Sequence, residues 1–248
     1  MENETIKAEL DCVYEAESEV SMLNENGVMK PHGYQILFAQ IAEQHLNDFH
    51  CNADDTMQYG VAWALISMTI EIERQVDGCE KLFAQTWHSS RKGPYWRREL
   101  LFKNAAGAVV FKGSTFSVLL DIEKRTVCRK REIPFFTAPP TEVFTTEAHP
   151  TLKAKLDYTP VEERKVYNSY IDMLGHVNNC RYGEFAYDAF TDDEKARLTE
   201  MKHMEIYFAS ELRCGDTFTI GKAYEDGRLY IRGHNNNKND TSFDIVMY

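Results

Sequence analysis

Between Tyr170 and Tyr182 the chain reads Tyr-Ile-Asp-Met-Leu-Gly-His-Val-Asn-Asn-Cys-Arg-Tyr, so an acid, Asp172, stands four residues before a histidine, His176. An imidazole moves protons near neutral pH, and a carboxylate beside it can orient the ring or hold a water molecule. Asn178 and Asn179 follow at once, at what reads as a strand-to-helix turn. Either can be the N-cap of a helix whose first turn offers partial positive charge to an oxyanion. The set therefore suits a reaction that passes through an oxyanion. On spacing alone the plainer alternative is equally good: a capped helix whose acid and histidine make structural hydrogen bonds.

Cys180 and Cys214 lie close by in sequence as alternative nucleophiles, but a buried, inert thiol is the commoner state of such residues. The six cysteines form no CxxC pair, and His32, His45, His50, His88, His149, His203 and His234 lack metal-ligand spacing. No metal, disulfide framework or cofactor is expected.

These residues need elements to hold them. Apolar and aromatic residues at Tyr34, Leu37, Phe38, Ile41 and Leu46 predict a helix buried on one face. Strands are predicted over 61–74, 81–90, 95–104, 108–122 and 125–133, separated by turn-forming residues. Five of the seven prolines then fall between Pro134 and Pro160, where every hydrophobic period breaks. Beyond them the order repeats, with a helix over 178–190 and strands over 204–210, 216–224, 228–233 and 242–248. A long helix wrapped by an antiparallel sheet, met twice, predicts an α+β chain of two tandem hot-dog domains. The divisions fall at 1–133, a linker at 134–160 and 161–248. Periodicity by itself leaves other α+β folds open.

Composition narrows the setting. The hydrophobic share of 43% and charged share of 27% fit a folded globular chain. A net charge of −11 argues against nucleic acid, whose phosphates call for a basic face. The acidic N-terminal stretch is unlike a signal peptide and no apolar run is long enough for a membrane span, so a soluble, cytoplasmic protein is expected.

Through Asp172, His176, Val177, Asn178, Asn179 and Tyr182 the sequence resembles the acyl-[acyl-carrier-protein] thioesterases. The resemblance extends to Ile70-Glu71-Ile-Glu-Arg74, the segment around Trp87, Arg97-Arg98 and Gly113 to Asp121, and thus over nearly the whole chain. Further on, Ile206 to Asp216 is similar to the family strand whose acid faces the histidine, which maps that acid to Glu211. The resemblance implies hydrolysis of a fatty-acyl thioester in fatty-acid biosynthesis, with Glu211 as base toward water and His176 as its partner or as the proton donor. Asp172 then orients, and the helix start near Val177, Asn178 and Asn179 forms the oxyanion hole. Which of Glu211 and His176 takes the proton stays open. An acyl tunnel is implied in the first domain, with Phe38, Ile41, Trp63, Leu65 and Met68 as walls.

The family pattern has an asparagine where this chain has Leu174, which offers no side-chain hydrogen bond. Tyr170, in place of an acid, or Asn168 is expected to fill that gap. The implied partner is an acyl carrier protein bearing the acyl group on phosphopantetheine. That partner is itself acidic, so the basic run Lys124, Arg125, Arg129, Lys130 and Arg131 reads either as a solvated strand face or as its docking patch. Acyl-coenzyme A hydrolysis and a non-catalytic acyl-thioester binder are the alternatives. Exposed sheet edges leave a homodimer open.

Overall fold

Helix α1 (Pro31–Asp48) starts at a proline, whose fixed φ suits the first helical turn and whose missing N–H is not needed there. Tyr34, Leu37, Phe38 and Ile41 form its apolar stripe, none more than 1% exposed. Phe38 stacks on Phe102 and Phe111, with ring centroids 5.6 and 6.1 Å away. Truncating a buried phenyl of this kind to alanine costs about 3–5 kcal/mol. The computed structural model describes residues 10–76, 78–124, 126–129, 133, 135 and 137–248.

The first half supplies β1 (Tyr14–Glu17), a short α2 (Ala53–Met57), β2 (Val61–Ile72), β3 (Lys81–Lys92), β4 (Tyr95–Lys103), β5 (Val109–Asp121) and β6 (Thr126–Val127). The second half supplies β7 (Thr159–Lys165), α3 (Arg181–Asp188), α4 (Asp192–Ala196), β8 (His203–Phe208), β9 (Thr217–Glu225), β10 (Arg228–Asn235) and β11 (Asp240–Met247). The sheet order is β1-β3-β4-β5-β2-β8-β11-β10-β9-β7, with β6 on β5 and every pairing antiparallel. This is the double hot-dog.

Two predicted elements differ from the observed ones, and two observed strands were not predicted. The second helix is shorter than 178–190, because the chain turns at Ala189 into α4, whose start a Thr191–Glu194 capping box fixes. Of the predicted strand 125–133 only Thr126–Val127 pairs. Within the basic run, Arg125, Lys130 and Arg131 lie outside the described residues, Lys124 pairs with Asp121 at 3.3 Å, and Arg129 is exposed. Finally, β1 and β7 escaped the sequence pattern because edge strands that are short or charged lack an apolar alternation.

Pairing of β2 with β8, from Ser67 opposite Tyr207 to Glu71 opposite His203, makes the two halves one sheet. Helices α1 and α3 consequently pack on the same face, and Gly183 lets them close up: a Cβ there would stand 2.1 Å from Gln35 Oε1 and 2.8 Å from the His32 nitrogen.

The proline-rich connection is a packed strap across the opposite face. Trp87 Nε1 donates to Val143 O at 2.9 Å and Ser67 Oγ to His149 O at 2.8 Å. Glu99, fully buried, accepts from Arg97 Nε at 2.6 Å, Ser89 Oγ at 2.7 Å and Thr145 N at 2.9 Å, so a buried charge is matched on several sides. Leu152, Leu156 and Tyr158 cover Tyr207, Tyr230 and Val246. Among the described residues no helix is long and apolar enough to cross a membrane.

Candidate active site

The turn ahead of α3 is built from its own side chains. Ile171 bridges to Val177, Asp172 N donates to His176 O at 3.0 Å, and Gly175 N donates to Asp172 O at 3.1 Å. Gly175 has φ of +81°, a conformation that side-chain-bearing residues rarely adopt. Asp172 uses one oxygen, Oδ1, to accept from Leu174 N at 2.9 Å. The other, Oδ2, faces His176 Nδ1 at 3.4 Å, which orients the imidazole. Val177 N donates to Leu212 O at 2.8 Å and docks the turn beside the segment that carries Glu211.

Glu211 Oε1 accepts from Arg213 Nε and Nη2 at 2.9 and 2.6 Å, while Lys238 Nζ donates to the Glu211 carbonyl at 2.7 Å. Tyr182 feels the charge of both acids. Burial, with added repulsion from Glu211 and Asp172, pushes its phenol up to about 12, so it stays a neutral hydroxyl.

Backbone donors narrow the oxyanion hole. Val177 N is taken by Leu212 O, Asn178 N by Tyr170 O, Cys180 N by Asn178 Oδ1 and Arg181 N by Asn178 O. That leaves the N–H of Asn179, which has no protein acceptor among the described residues. The expected donors Val177 and Asn178 are thus already spent. Nor is either asparagine the N-cap: Cys180 occupies that position, in helical conformation and without a side-chain cap, and Asn178 closes the turn just before it.

A cavity of about 260 Å³ opens between α1 and the first-half sheet and ends at Asp172, Asn178, Asn179 and Cys180. Phe38, Trp63, Leu65 and Met68 line it; Ile41 does not, being wholly buried in the core one turn away. Polar side chains line it too. Among them, His45 Nδ1 accepts from Arg98 Nη1 at 3.0 Å, and burial together with the Arg98 charge pushes His45 down to about 3. Adjacent residues on a strand point to opposite faces, so Arg97 holds the strap while Arg98 reaches His45 and Thr86. That alternation was available in the sequence.

Asp172, Asn178 and Cys180 also line an open groove between α1 and α3, so the turn sits where groove and cavity meet. Leu174 lines neither and is 46% exposed. Tyr170 packs edge-on against Phe185, with centroids 5.1 Å apart, and Asn168 Oδ1 accepts from Cys214 Sγ at 2.7 Å. Neither lines the cavity, and neither do His176 and Glu211, although Tyr170, like Asp172, lines the groove. Burial, then Glu184, pushes the Cys180 thiol up to about 12, which disfavours the thiolate a nucleophile needs.

Two family models match: the acyl-ACP thioesterase N-terminal domain over residues 14–133 and the C-terminal domain over residues 153–246. An acyl-ACP thioesterase from Bacteroides thetaiotaomicron superposes with a TM-score of 0.79 at 17% identity, covering 100% of this chain and 98% of that one. The 12:0-ACP thioesterase from Umbellularia californica superposes at 0.73 with 12% identity, covering 95% of this chain and 96% of that one. No curated protein sequence matches. At such identities the superpositions establish a shared fold, and the two family matches, which together span most of the sequence, establish kinship: the chain belongs to the acyl-ACP thioesterases, a family of thioester hydrolases.

Proposed function

We propose that the protein hydrolyses a fatty acyl thioester on acyl carrier protein, releasing free fatty acid and carrier in cytoplasmic fatty-acid biosynthesis. The observation that carries this is the meeting of an apolar-walled cavity with an open groove at the one turn that holds Asp172, His176 and the free Asn179 N–H. An acyl chain enters the cavity, and its phosphopantetheine arm leaves along the groove. The thioester then lies at the turn. Residues 1–133 supply the tunnel, 134–160 the strap and 161–248 the catalytic groups.

His176, oriented by Asp172, takes a proton from water as the water oxygen bonds to the thioester carbon. The carbonyl oxygen, now negative, is met by Asn179 N–H. Collapse breaks the carbon–sulfur bond, and the imidazolium returns its proton to the departing thiolate. Glu211, engaged by Arg213, has an electrostatic part in this scheme rather than that of the base.

The test is release of free thiol from a long-chain acyl-carrier thioester and from the matching acyl-coenzyme A. Carrier thioester is expected to give the higher kcat/KM. Equal values would remove the carrier preference, and no release from either would favour an acyl-binding protein. With Glu211→Gln we expect turnover to fall by roughly 10- to 10²-fold; a larger loss than for His176 variants would make Glu211 the base.

A further inference from the structure

Gln35 belongs to α1, in the first half of the chain, yet its Nε2 donates at 2.8 Å to the carbonyl of Asn179, 144 residues away. A carbonyl can only accept, so the amide nitrogen must face Asn179. Oε1 then lies against Gly183, where a Cβ would come within 2.1 Å, and it has no protein donor among the described residues. The side chain is 1% exposed and lines the cavity. An apolar residue would fill this place between two helices without burying an unmatched oxygen. Retention of an amide here calls for a use of its N–H.

That use follows from what surrounds Asn179. The Asn178 carbonyl, in the preceding peptide, accepts from Arg181 N, and the following peptide is held by Cys180 N on Asn178 Oδ1 and by Gln35 on the Asn179 carbonyl. Every dipole about Asn179 is fixed except its own N–H. The Asn179 carbonyl would otherwise oppose negative charge growing beside it, and a hydrogen bond from Gln35 masks it. We propose that Gln35 is a positioning residue of the hydrolysis, locking Asn179 so that its N–H meets the thioester oxygen as that oxygen becomes negative. This rests on the hydrolase function proposed above.

Gln35→Met removes the donor at similar volume, and Gln35→Glu keeps shape while making donation depend on a proton. We expect Gln35→Met to lower kcat by roughly 10- to 10²-fold with KM for the carrier thioester within about threefold, since the contact matters most in the transition state. For Gln35→Glu the ratio of its kcat to wild type should rise as pH falls, because the protonated carboxyl can again donate to Asn179 O and the ionised one cannot; for Gln35→Met that ratio should be flat. A role in packing alone would give two flat ratios. Retained kcat in Gln35→Met, or a flat ratio for Gln35→Glu, would overturn the proposal while leaving the hydrolase intact. A wild type that releases no thiol would overturn both. Should Gln35→Met fail to fold, the pH dependence of the isosteric Gln35→Glu decides by itself.

Discussion

Residues 23–30, ahead of α1, fold as residues 171–178 do ahead of α3. Leu23 bridges to Met29 as Ile171 does to Val177, and Asn24 N donates to Val28 O as Asp172 N does to His176 O. Gly27 N donates to Asn24 O at φ of +75°, and Lys30 N to Met22 O, matching Gly175 and Asn178. The side chains differ. Asn24 Oδ1 accepts from both Asn26 N and Val28 N at 2.9 Å, whereas Asp172 gives one oxygen to the turn and keeps the other for His176. A turn of this shape needs only a short side-chain carbonyl and a glycine, so the acid and the imidazole are additions that the backbone does not require.

What stands behind the two turns differs as well. Helix α1 has 18 residues and leaves a cavity for the second turn, while α3 has 8 and gives way to α4. Tyr187 lies beside Asn24, and Glu194 is held by Lys222 and Tyr224 where α4 meets the sheet. One turn therefore has both the groups and the space.

Making the second turn like the first is the sharpest way to break this asymmetry. His176→Val, copying Val28, should lower turnover by roughly 10²- to 10⁴-fold with the fold kept, as shown by an unchanged melting curve. Near-wild-type hydrolysis would move the chemistry elsewhere. Adding Asn24→Asp and Val28→His to that variant should restore nothing, because Tyr187 stands at Asn24.

Asp172→Asn, copying Asn24, keeps an acceptor for Leu174 N and loses only the charge facing His176. We expect a fall of roughly 10- to 10²-fold in kcat and a melting temperature close to wild type. Substantial unfolding would show that the charge, not the carbonyl, holds the turn.

The halves should also part company in acid. Burial keeps His32, His45 and His88, all in the first half, below the usual imidazole range, with His45 near 3 against an ordinary 6.5. Between those values the unfolded chain binds the His45 proton and the native chain does not, so stability falls as pH drops from about 6.5, by on the order of a few kcal/mol at the acid end. His45→Gln retains an acceptor for Arg98 and should flatten that slope in denaturant titrations at several pH values. An unaltered slope would assign the acid loss to other groups.

Leu174→Asn should do least. Its counterpart in the first turn is already Asn26, and the side chain at this position faces solvent, so we expect kcat within about threefold of wild type. A gain of tenfold or more would mean that the turn moves to bring this residue onto the substrate.

Much of this was legible in local pattern. The 3.6 period of α1 announced its buried stripe, strand alternation announced most of the sheet, and Asp172, His176 and the two asparagines announced a turn ahead of a helix, because each depends on residues a few positions apart. Order and repetition pointed to a double hot-dog but left other α+β folds open, and the family resemblance chose between them. Residues that act at long range were not legible: neither Gln35 nor His45 carries any sign in its neighbourhood that it will meet Asn179 or Arg98.

The sequence by itself determined which faces are apolar, where the chain turns, and which groups at 172–176 can move a proton. Only tertiary structure decided that β2 would pair with β8 and bring a first-half cavity up to a second-half turn. Tertiary structure likewise sent Leu174 outward and left Asn179 as the one unspent donor from Val177 to Arg181. The reason is physical: periodicity records that a face is covered, whereas which distant element covers it depends on how strand edges and helices from both halves fit together.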